Sequence, residues 1–190
     1  MNNCWYKLKV DCPVINPQWN FPAPNNSSGN GVWRLNIKDI VDAEWLKYIE
    51  KLNIPIVNHA MLFYRPSNFN TNFAHIDIKV GSVDCDISGL NFVVGGEDSD
   101  MIWYELPKKE KKILYTVAGT PYINWPIDEL KEIDKTRIQS NLTLVRVDIP
   151  HAIMMGEKPR WAISIRLKGN IKTWDKMVEV FQELNLLDKR

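Results

Sequence analysis

The sequence has few of the residues that stabilise small secreted domains or structural zinc sites. Its 190 residues include three cysteines, Cys4, Cys12 and Cys85, and no two of them have the CxxC spacing. An odd number of cysteines without that spacing argues against a closed disulfide framework and against a cysteine zinc site. We therefore expect free thiols, as in a cytoplasmic protein.

Long hydrophobic runs and an excess of one charge are also missing. No apolar segment approaches the roughly 20 residues of a membrane-spanning helix, and the start MNNCWYKLKV lacks the basic and then apolar pattern of a signal peptide. The formal net charge is +1, so no strong field favours nucleic acid or an anionic membrane. We expect a cytoplasmic protein whose partners are a small molecule or a peptide, with no nucleic acid and no membrane.

Apolar residues, in contrast, are plentiful. The chain is 45% hydrophobic and 25% charged, which suits one globular domain spanning 1–190 with a core large enough to enclose a small molecule. We place that core at about 55–168. Pro, Asn, Ser and Gly dominate 11–31, which predicts an irregular arm. An insertion is expected at 107–138, with a short helix at 126–138.

The hydrophobic pattern predicts a mainly β fold. Segments rich in β-branched and aromatic residues alternate with Gly, Pro, Asn and Asp turns through the middle of the chain. Apolar residues at helical spacing predict flanking helices at 39–52, with Asp39 as N-cap, and at 171–187. The arrangement favours a jelly roll with N- and C-terminal helices packed outside one sheet. The predicted strands are 55–64, 74–80, 90–94, 101–105, 113–118, 142–147, 151–154 and 160–167.

Three residues have the types and positions of a metal site. Side chains alternate along a strand, so His75 and Asp77 in FAHIDIKV point to the same side and can chelate a metal. His151 begins a later strand, and Pro150 stiffens its approach. Two histidines and one carboxylate on one side of a metal leave positions open, as in non-haem Fe(II) oxygenases. These three are the predicted catalytic and metal-binding residues.

A basic residue starts the strand that follows. In DIPHAIMMGEKPRWAISIR, Arg160 comes nine residues after His151 and after a short turn. If both side chains share a face, a guanidinium lies beside the metal, and arginine is suited to bidentate binding of a carboxylate. Arg166 lies on the same face as Arg160 and is a second candidate anchor, although a salt bridge is the favoured role for it.

Taken together, the His-x-Asp pair, the second His and the Arg nine residues later resemble the Fe(II)- and 2-oxoglutarate-dependent oxygenases. RWAISIR is most similar to the prolyl-hydroxylase branch, in which Arg followed by an aromatic residue and an alternating apolar strand binds the distal carboxylate of 2-oxoglutarate. That branch has a Tyr about ten residues before the first metal His, and here Tyr64 is eleven before His75. The resemblance covers about 55–168 and implies a double-stranded β-helix core, the cupin-like jelly roll.

The resemblance implies an enzyme, a dioxygenase that uses Fe(II), 2-oxoglutarate and O2. Such an enzyme hydroxylates a substrate, here an unidentified peptide or small molecule, while 2-oxoglutarate is decarboxylated to succinate. Arg160 and Tyr64 would hold the distal carboxylate. Asn91, within the apolar run LNFVV, either lines the cavity near the co-substrate or caps a sheet edge. His59 is expected to be structural or on the surface.

The sequence departs from the family pattern at a position that concerns co-substrate affinity, and two other protein classes also stay open. Many relatives have Arg-x-Ser, but Ala162 occupies the serine position here, and Ser164 comes two residues too late. The first alternative is a cupin-like metal-binding protein or isomerase, a class that usually binds metal with more histidines. The second is a catalytically inactive jelly-roll binding module.

Overall fold

Twelve strands in two antiparallel sheets form the framework of the described structure. The computed structural model describes residues 3–10, 12–21, 29–78, 86–108, 112–115, 119, 121–168, 171 and 173–188. Cys85, part of the arm and part of the predicted strands at 74–80 and 113–118 lie outside these residues. In chain order the strands are β1 (Trp5–Lys7), β2 (Gly31–Asn36), β3 (Ile56–Arg65), β4 (Phe73–Asp77), β5 (Ser88–Gly95), β6 (Asp100–Tyr104), β7 (Leu114–Tyr115), β8 (Pro121–Pro126), β9 (Glu132–Thr136), β10 (Thr143–Arg146), β11 (His151–Met154) and β12 (Arg160–Leu167).

The strand order is that of a jelly roll. The first sheet has the order β1-β10-β5-β12-β3-β2, and the second has the order β7-β8-β4-β11-β6-β9. From β3 to β6, and again from β9 to β12, the chain crosses to the other sheet at every step. This crossing pattern is typical of double-sheet jelly rolls. The predicted fold class, mainly β with a jelly-roll core and flanking helices, is therefore confirmed.

The helices cover the outer face of the first sheet. They are α1 (Ile37–Ile40), α2 (Ala43–Lys51) and α3 (Trp174–Glu183). Trp45 and Phe181 are buried against Ile163 and Ile165 of β12, so the outward-facing residues of that strand belong to this apolar layer. Within the described residues, no helix has the length and apolar character needed to cross a membrane.

The predicted helix at 39–52 is interrupted. Val41 has an extended backbone, and the side chain of Asp42 accepts a hydrogen bond from the Glu44 N–H, so α2 begins after Asp42 and Asp39 is not its N-cap. An Asp side chain satisfies an otherwise unpaired amide at a helix start. The break separates α1, which follows directly from β2, from the longer α2.

The described part of the insertion at 107–138 contains three strands and no α-helix, which corrects the helix expected at 126–138. A 3-10 turn spans Ile127–Glu129, and Glu132–Thr136 then forms β9 at the edge of the second sheet beside β6. Pairing with β6 satisfies backbone groups that a short, charged helix would expose. The same insertion supplies β8, which pairs with β4 along its whole length and was not predicted.

Between the sheets, an apolar cluster fills one side of the interior. Val93 and Ala162 from the first sheet pack with Met101, Trp103 and Ile153 from the second. Ala162 faces inward, so the alternation along β12 also turns Arg160, Ser164 and Arg166 inward. The polar residues of β12 consequently face the second sheet.

Candidate metal centre

Strands β4 and β11 bring together the three residues that the sequence singles out. His75 lies directly opposite His151 in the antiparallel pair, with ring centroids 4.5 Å apart. Asp77 lies two residues further along β4 on the same face, and its Oδ1 is 3.5 Å from Nε2 of His75. One ligand atom from each residue lies within 4.8 Å of the other two. This spacing allows all three side chains to coordinate one ion.

The backbone just before β11 orients the His151 ring. Nδ1 of His151 lies 3.0 Å from the carbonyl oxygen of Ile149. A carbonyl only accepts hydrogen bonds, so Nδ1 donates and Nε2 retains the lone pair that can bind a metal. Such a hydrogen bond from the second ring nitrogen is usual for metal-binding histidines, because it fixes both tautomer and orientation.

The protonation states also suit a cation. Burial, together with His151, lowers the pKa of His75 to about 3, and burial lowers the pKa of His151. Burial alone would raise the pKa of Asp77, but Arg166 and the two imidazoles outweigh that effect and bring the pKa to about 2. At neutral pH the site therefore presents two neutral imidazoles and one carboxylate, the protonation states in which these side chains bind metals.

Arg166 of β12 holds the carboxylate from the opposite sheet. Its Nη2 donates to Oδ2 of Asp77, and its Nε lies 3.7 Å from Oδ2 of Asp86. Oδ1, the other oxygen of Asp77, faces His75 and is the atom available to a metal. The favoured interpretation of Arg166, a salt bridge instead of a co-substrate anchor, agrees with this geometry.

One side of the cluster is open. The side chains of His75 and Asp77 are 26% and 14% exposed, whereas His151 is 4% exposed. Strand β8 borders this open side, with Tyr122 opposite Asp77 and Asn124 opposite His75. Neither residue was predicted to lie beside the metal ligands, because β8 was not predicted, although PYINWP has the alternation of a strand.

Arg160 lies inside the fold and has a second arginine opposite it. Arg160 is 5% exposed and pairs in register with Arg65 at the end of β3. Burial, and secondarily the charge of Arg65, lower the pKa of Arg160 to about 9, so it is still cationic at neutral pH. Arg65 was not singled out from the sequence, because only the pairing of β3 with β12 shows that the two residues are neighbours.

The structure does not bring Tyr64 to this region, which corrects the role expected for it. Its ring packs against Trp161, with centroids 4.7 Å apart, on the face that is turned toward the helices. Tyr64 pairs with Trp161 as Arg65 pairs with Arg160, and successive residues of a strand point to opposite faces. Tyr64 and Arg160 are therefore on opposite sides of the first sheet.

Asn91 occupies a central position in the first sheet. It lies opposite Thr143 of β10 and Ser164 of β12, which excludes the sheet-edge alternative. Its Oδ1 is buried and has no hydrogen-bond partner among the described residues. Because Arg160 lies opposite Gly95, four residues along β5, Asn91 is closer to the Arg166 end of the interior. Its role in binding a co-substrate stays a prediction.

The third histidine is not part of the cluster. His59 is half-buried near the edge of the first sheet, and its Nδ1 lies 3.2 Å from Nη2 of Arg34. Burial, helped by Arg34, lowers its pKa. Cupins usually bind metal with more histidines, and among the described residues the metal cluster contains His75 and His151 alone.

Comparison with known proteins finds similarity among solved structures. No family model and no curated protein matches the chain. Among solved structures, a variant of oxalate decarboxylase from Bacillus subtilis is 11% identical, with a TM-score of 0.36 over 87% of this chain. The same enzyme at pH 4.6 is 12% identical, with a TM-score of 0.36 over 89% of this chain. Another of its structures concerns its Mn(II) centres.

These similarities are too low to transfer a function. The chain spans 35% and 37% of the length of the two oxalate decarboxylase chains. At such identities and TM-scores, the likeness supports no inference about the metal, substrate or reaction of this chain, and the fold assignment depends on the strand order described above. The 2-oxoglutarate oxygenase family is not shown and stays a prediction.

Proposed function

We propose that the chain is a jelly-roll metalloprotein in which His75, Asp77 and His151 bind one divalent metal ion. The observation that supports this most directly is the convergence of two neutral imidazoles and one ionised carboxylate within 4.8 Å. Both imidazoles face the same interior, and one oxygen of Asp77 remains free of Arg166. Three ligands on one side leave the opposite side of the ion open for other molecules.

Within this class, we infer a 2-oxoglutarate-dependent oxygenase that hydroxylates a peptide or a small molecule. Fe(II) with 2-oxoglutarate would supply the activation of O2, with conversion of 2-oxoglutarate to succinate and CO2. The buried cation of Arg160 supports this assignment, because it offers an anchor for the distal carboxylate of the co-substrate. Trp103 and Ile153 keep the neighbouring interior apolar, which excludes water. The more exposed side, at His75 and Asp77, would receive the substrate.

A cupin-like metal-binding protein or isomerase that does not use 2-oxoglutarate is the second candidate. It is favoured by a specific observation: neither of the hydroxyl groups expected beside Arg160 is present. Tyr64 lies on the other face of the sheet, and Ala162 has no hydroxyl. Mn(II) binds the same kinds of ligand as Fe(II), so the identity of the ion must be measured. An inactive binding module is the third candidate.

The test measures metal binding and turnover in the same preparations. Protein purified anaerobically is titrated with Fe(II) and Mn(II) by calorimetry, and is then supplied with Fe(II), 2-oxoglutarate and O2 while succinate is followed. We expect metal binding and slow succinate formation in the wild type, with loss of both in His151→Ala. His59→Ala is the matched control and should behave as wild type.

Each outcome selects one class. Metal binding without 2-oxoglutarate binding or succinate would favour the cupin-like protein over the oxygenase. A wild-type protein that binds neither Fe(II) nor Mn(II) would contradict the metalloprotein itself. Equal loss of metal in His59→Ala and His151→Ala would show that the ligand assignment is wrong.

A further inference from the structure

Two arginines face each other at one end of the interior. Arg160 is the first residue of β12 and Arg65 is the last residue of β3, and the two are directly opposite in the antiparallel register. Residues in this relation have Cβ atoms about 4.5–5.5 Å apart, and like charges placed so are destabilising. Both side chains point to the inner face, since Tyr64 and Trp161, their neighbours, point to the helices.

Neither guanidinium is compensated within the described residues. Nη1 of Arg65 is buried and has no hydrogen-bond partner. No carboxylate contributes to the pKa of either arginine; burial lowers the pKa of Arg65, and burial followed by the charge of Arg65 lowers that of Arg160. Two other inward or half-buried arginines form salt bridges, Arg166 with Asp77 and Arg146 with Asp148.

The backbone at Gly96 leaves room for the Arg160 side chain. Gly96 has φ +59°, and a Cβ at that position would lie 2.7 Å from Cβ and 3.0 Å from Cγ of Arg160. Any larger residue at Gly96 would therefore displace the start of the Arg160 side chain, as well as adopt a strained backbone. The absence of a side chain at Gly96 therefore leaves the room that the buried Arg160 side chain occupies.

We propose that Arg65 and Arg160 together bind a single carboxylate, one end of a dicarboxylate ligand whose other end reaches the metal cluster. An ionised carboxylate has two oxygens and about four acceptor positions, enough for two N–H groups from each guanidinium. The bound anion also removes the repulsion between the two cations. Arg65 is thus a specificity-determining residue in the place where the sequence resemblance would put Tyr64.

The identity of the ligand depends on the proposed function, but the anion site does not. If the metal binds a 2-oxo acid, the molecule that joins both sites is a 2-oxo dicarboxylate such as 2-oxoglutarate. Arg65 is the last residue of β3, and the chain leads from it to β4, the strand that carries His75 and Asp77.

The test compares two ligands that differ in one carboxylate. Mn(II)-loaded protein is titrated with 2-oxoglutarate and with 2-oxopentanoate, in which a methyl group replaces the distal carboxylate. In Arg65→Gln and in Arg160→Gln, the Kd for 2-oxoglutarate should rise about 10- to 100-fold, as expected when charged hydrogen bonds are lost. The Kd for 2-oxopentanoate should stay within about twofold of wild type in both variants.

Further variants test whether both arginines bind the same carboxylate or whether each acts on ligand affinity independently. If one carboxylate bridges the two arginines, the double variant should lose less affinity than the product of the two single losses. Arg65→Lys keeps the charge without the planar fork and should give an intermediate Kd. Arg137→Gln, which changes an exposed arginine directly after β9, should bind both ligands as wild type. An unchanged 2-oxoglutarate Kd in Arg65→Gln, or equal weakening of both ligands, would overturn the proposal.

An experiment on metal-free protein distinguishes failure of the anion site from failure of the proposed metal-dependent function. Glutarate has both carboxylates and no 2-oxo group, and its binding to metal-free protein can be followed through the arginine Nε–H resonances in NMR spectra. Binding that is lost in Arg65→Gln would support the anion site even if no metal binds. If glutarate does not bind the metal-free wild type and 2-oxoglutarate does not bind the Mn(II)-loaded wild type, the anion site is wrong.

Discussion

The two ends of β12 place the same residue type in opposite electrostatic surroundings. Arg166, at one end, donates to Asp77 and lies near Asp86, so its charge is compensated. Arg160, at the other end, faces Arg65 and has no acid among the described residues. Six residues separate the two arginines, which is about 20 Å along a strand. At one end, the ion pair with Arg166 holds the proposed metal ligand Asp77 in place. At the other end, two neighbouring cations would be stabilised by a bound anion.

The Arg166 end is preorganised, because its charges are already paired in the free protein. The Arg160 end would have its charges compensated only when an anion binds. A buried ion pair is costly to break, because the remaining charge stays desolvated. A buried charge without a partner already destabilises the free protein by its desolvation. Natural proteins retain such destabilising charges where function requires them. We therefore expect substitutions at the two ends to change stability in opposite directions.

The largest effect is expected from Asp77→Asn, which removes a proposed metal ligand and the partner of Arg166 together. Metal affinity should fall by more than about 100-fold, and the free energy of unfolding should fall by about 3 kcal/mol, because Arg166 is left half-compensated by Asp86. Calorimetry and urea unfolding measure the two quantities. In Asp77→Asn/Arg166→Gln stability should partly return without metal binding, and a return of both would contradict the assignment of Asp77.

The same substitution at Arg160 and at Arg166 tests most directly whether the two ends of β12 affect stability in opposite directions. In the metal-free protein Arg166→Met should lower the free energy of unfolding by about 2–3 kcal/mol, whereas Arg160→Met should raise it by about 1 kcal/mol. Arg166→Met should also weaken metal binding by about 10- to 100-fold, as loss of a group that orients a ligand does. Urea midpoints at constant m-value report the signs. Changes of the same sign at both positions would refute the contrast.

The smallest effect is the loss of stability in mild acid at the metal end. Folding lowers the pKa of His75 and of His151, so the unfolded chain binds protons that the metal-free folded protein excludes. Stability is therefore full above about pH 6.5 and falls as the pH decreases toward the folded pKa. Between about pH 7.5 and 5.5 each histidine should cost about 1 kcal/mol, or a Tm decrease of about 2–4 °C.

The control for this pH dependence is His75→Gln, which removes one of the two titrating imidazoles. Its Tm should fall by about half as much over the same interval. A variant whose Tm follows the wild-type pH profile would show that other groups cause the acid sensitivity.

Several elements follow from local pattern and could be predicted. Strands β11 and β12 match their predicted bounds, because apolar alternation and the turn at EKP mark both ends. The helix α2 was placed within its predicted segment, although its N-cap is Asp42. Strands β8 and β9 were missed. Their charged or proline-bounded sequences become strands because β4 and β6 offer edges with unpaired backbone groups.

The sequence by itself determined which residue types can bind a metal and how they alternate along each strand. His75, Asp77 and His151 could be chosen because side-chain direction in a strand repeats every two residues, a purely local property. Only the tertiary structure decided which residues oppose them across the sheets. The pairing of the strands places Tyr64 on the outer face and Arg65 opposite Arg160. The packing of the two sheets brings Arg166 into a salt bridge with Asp77. Strand register is determined by pairing between segments distant in the chain, and a one-residue change in register would exchange the two faces.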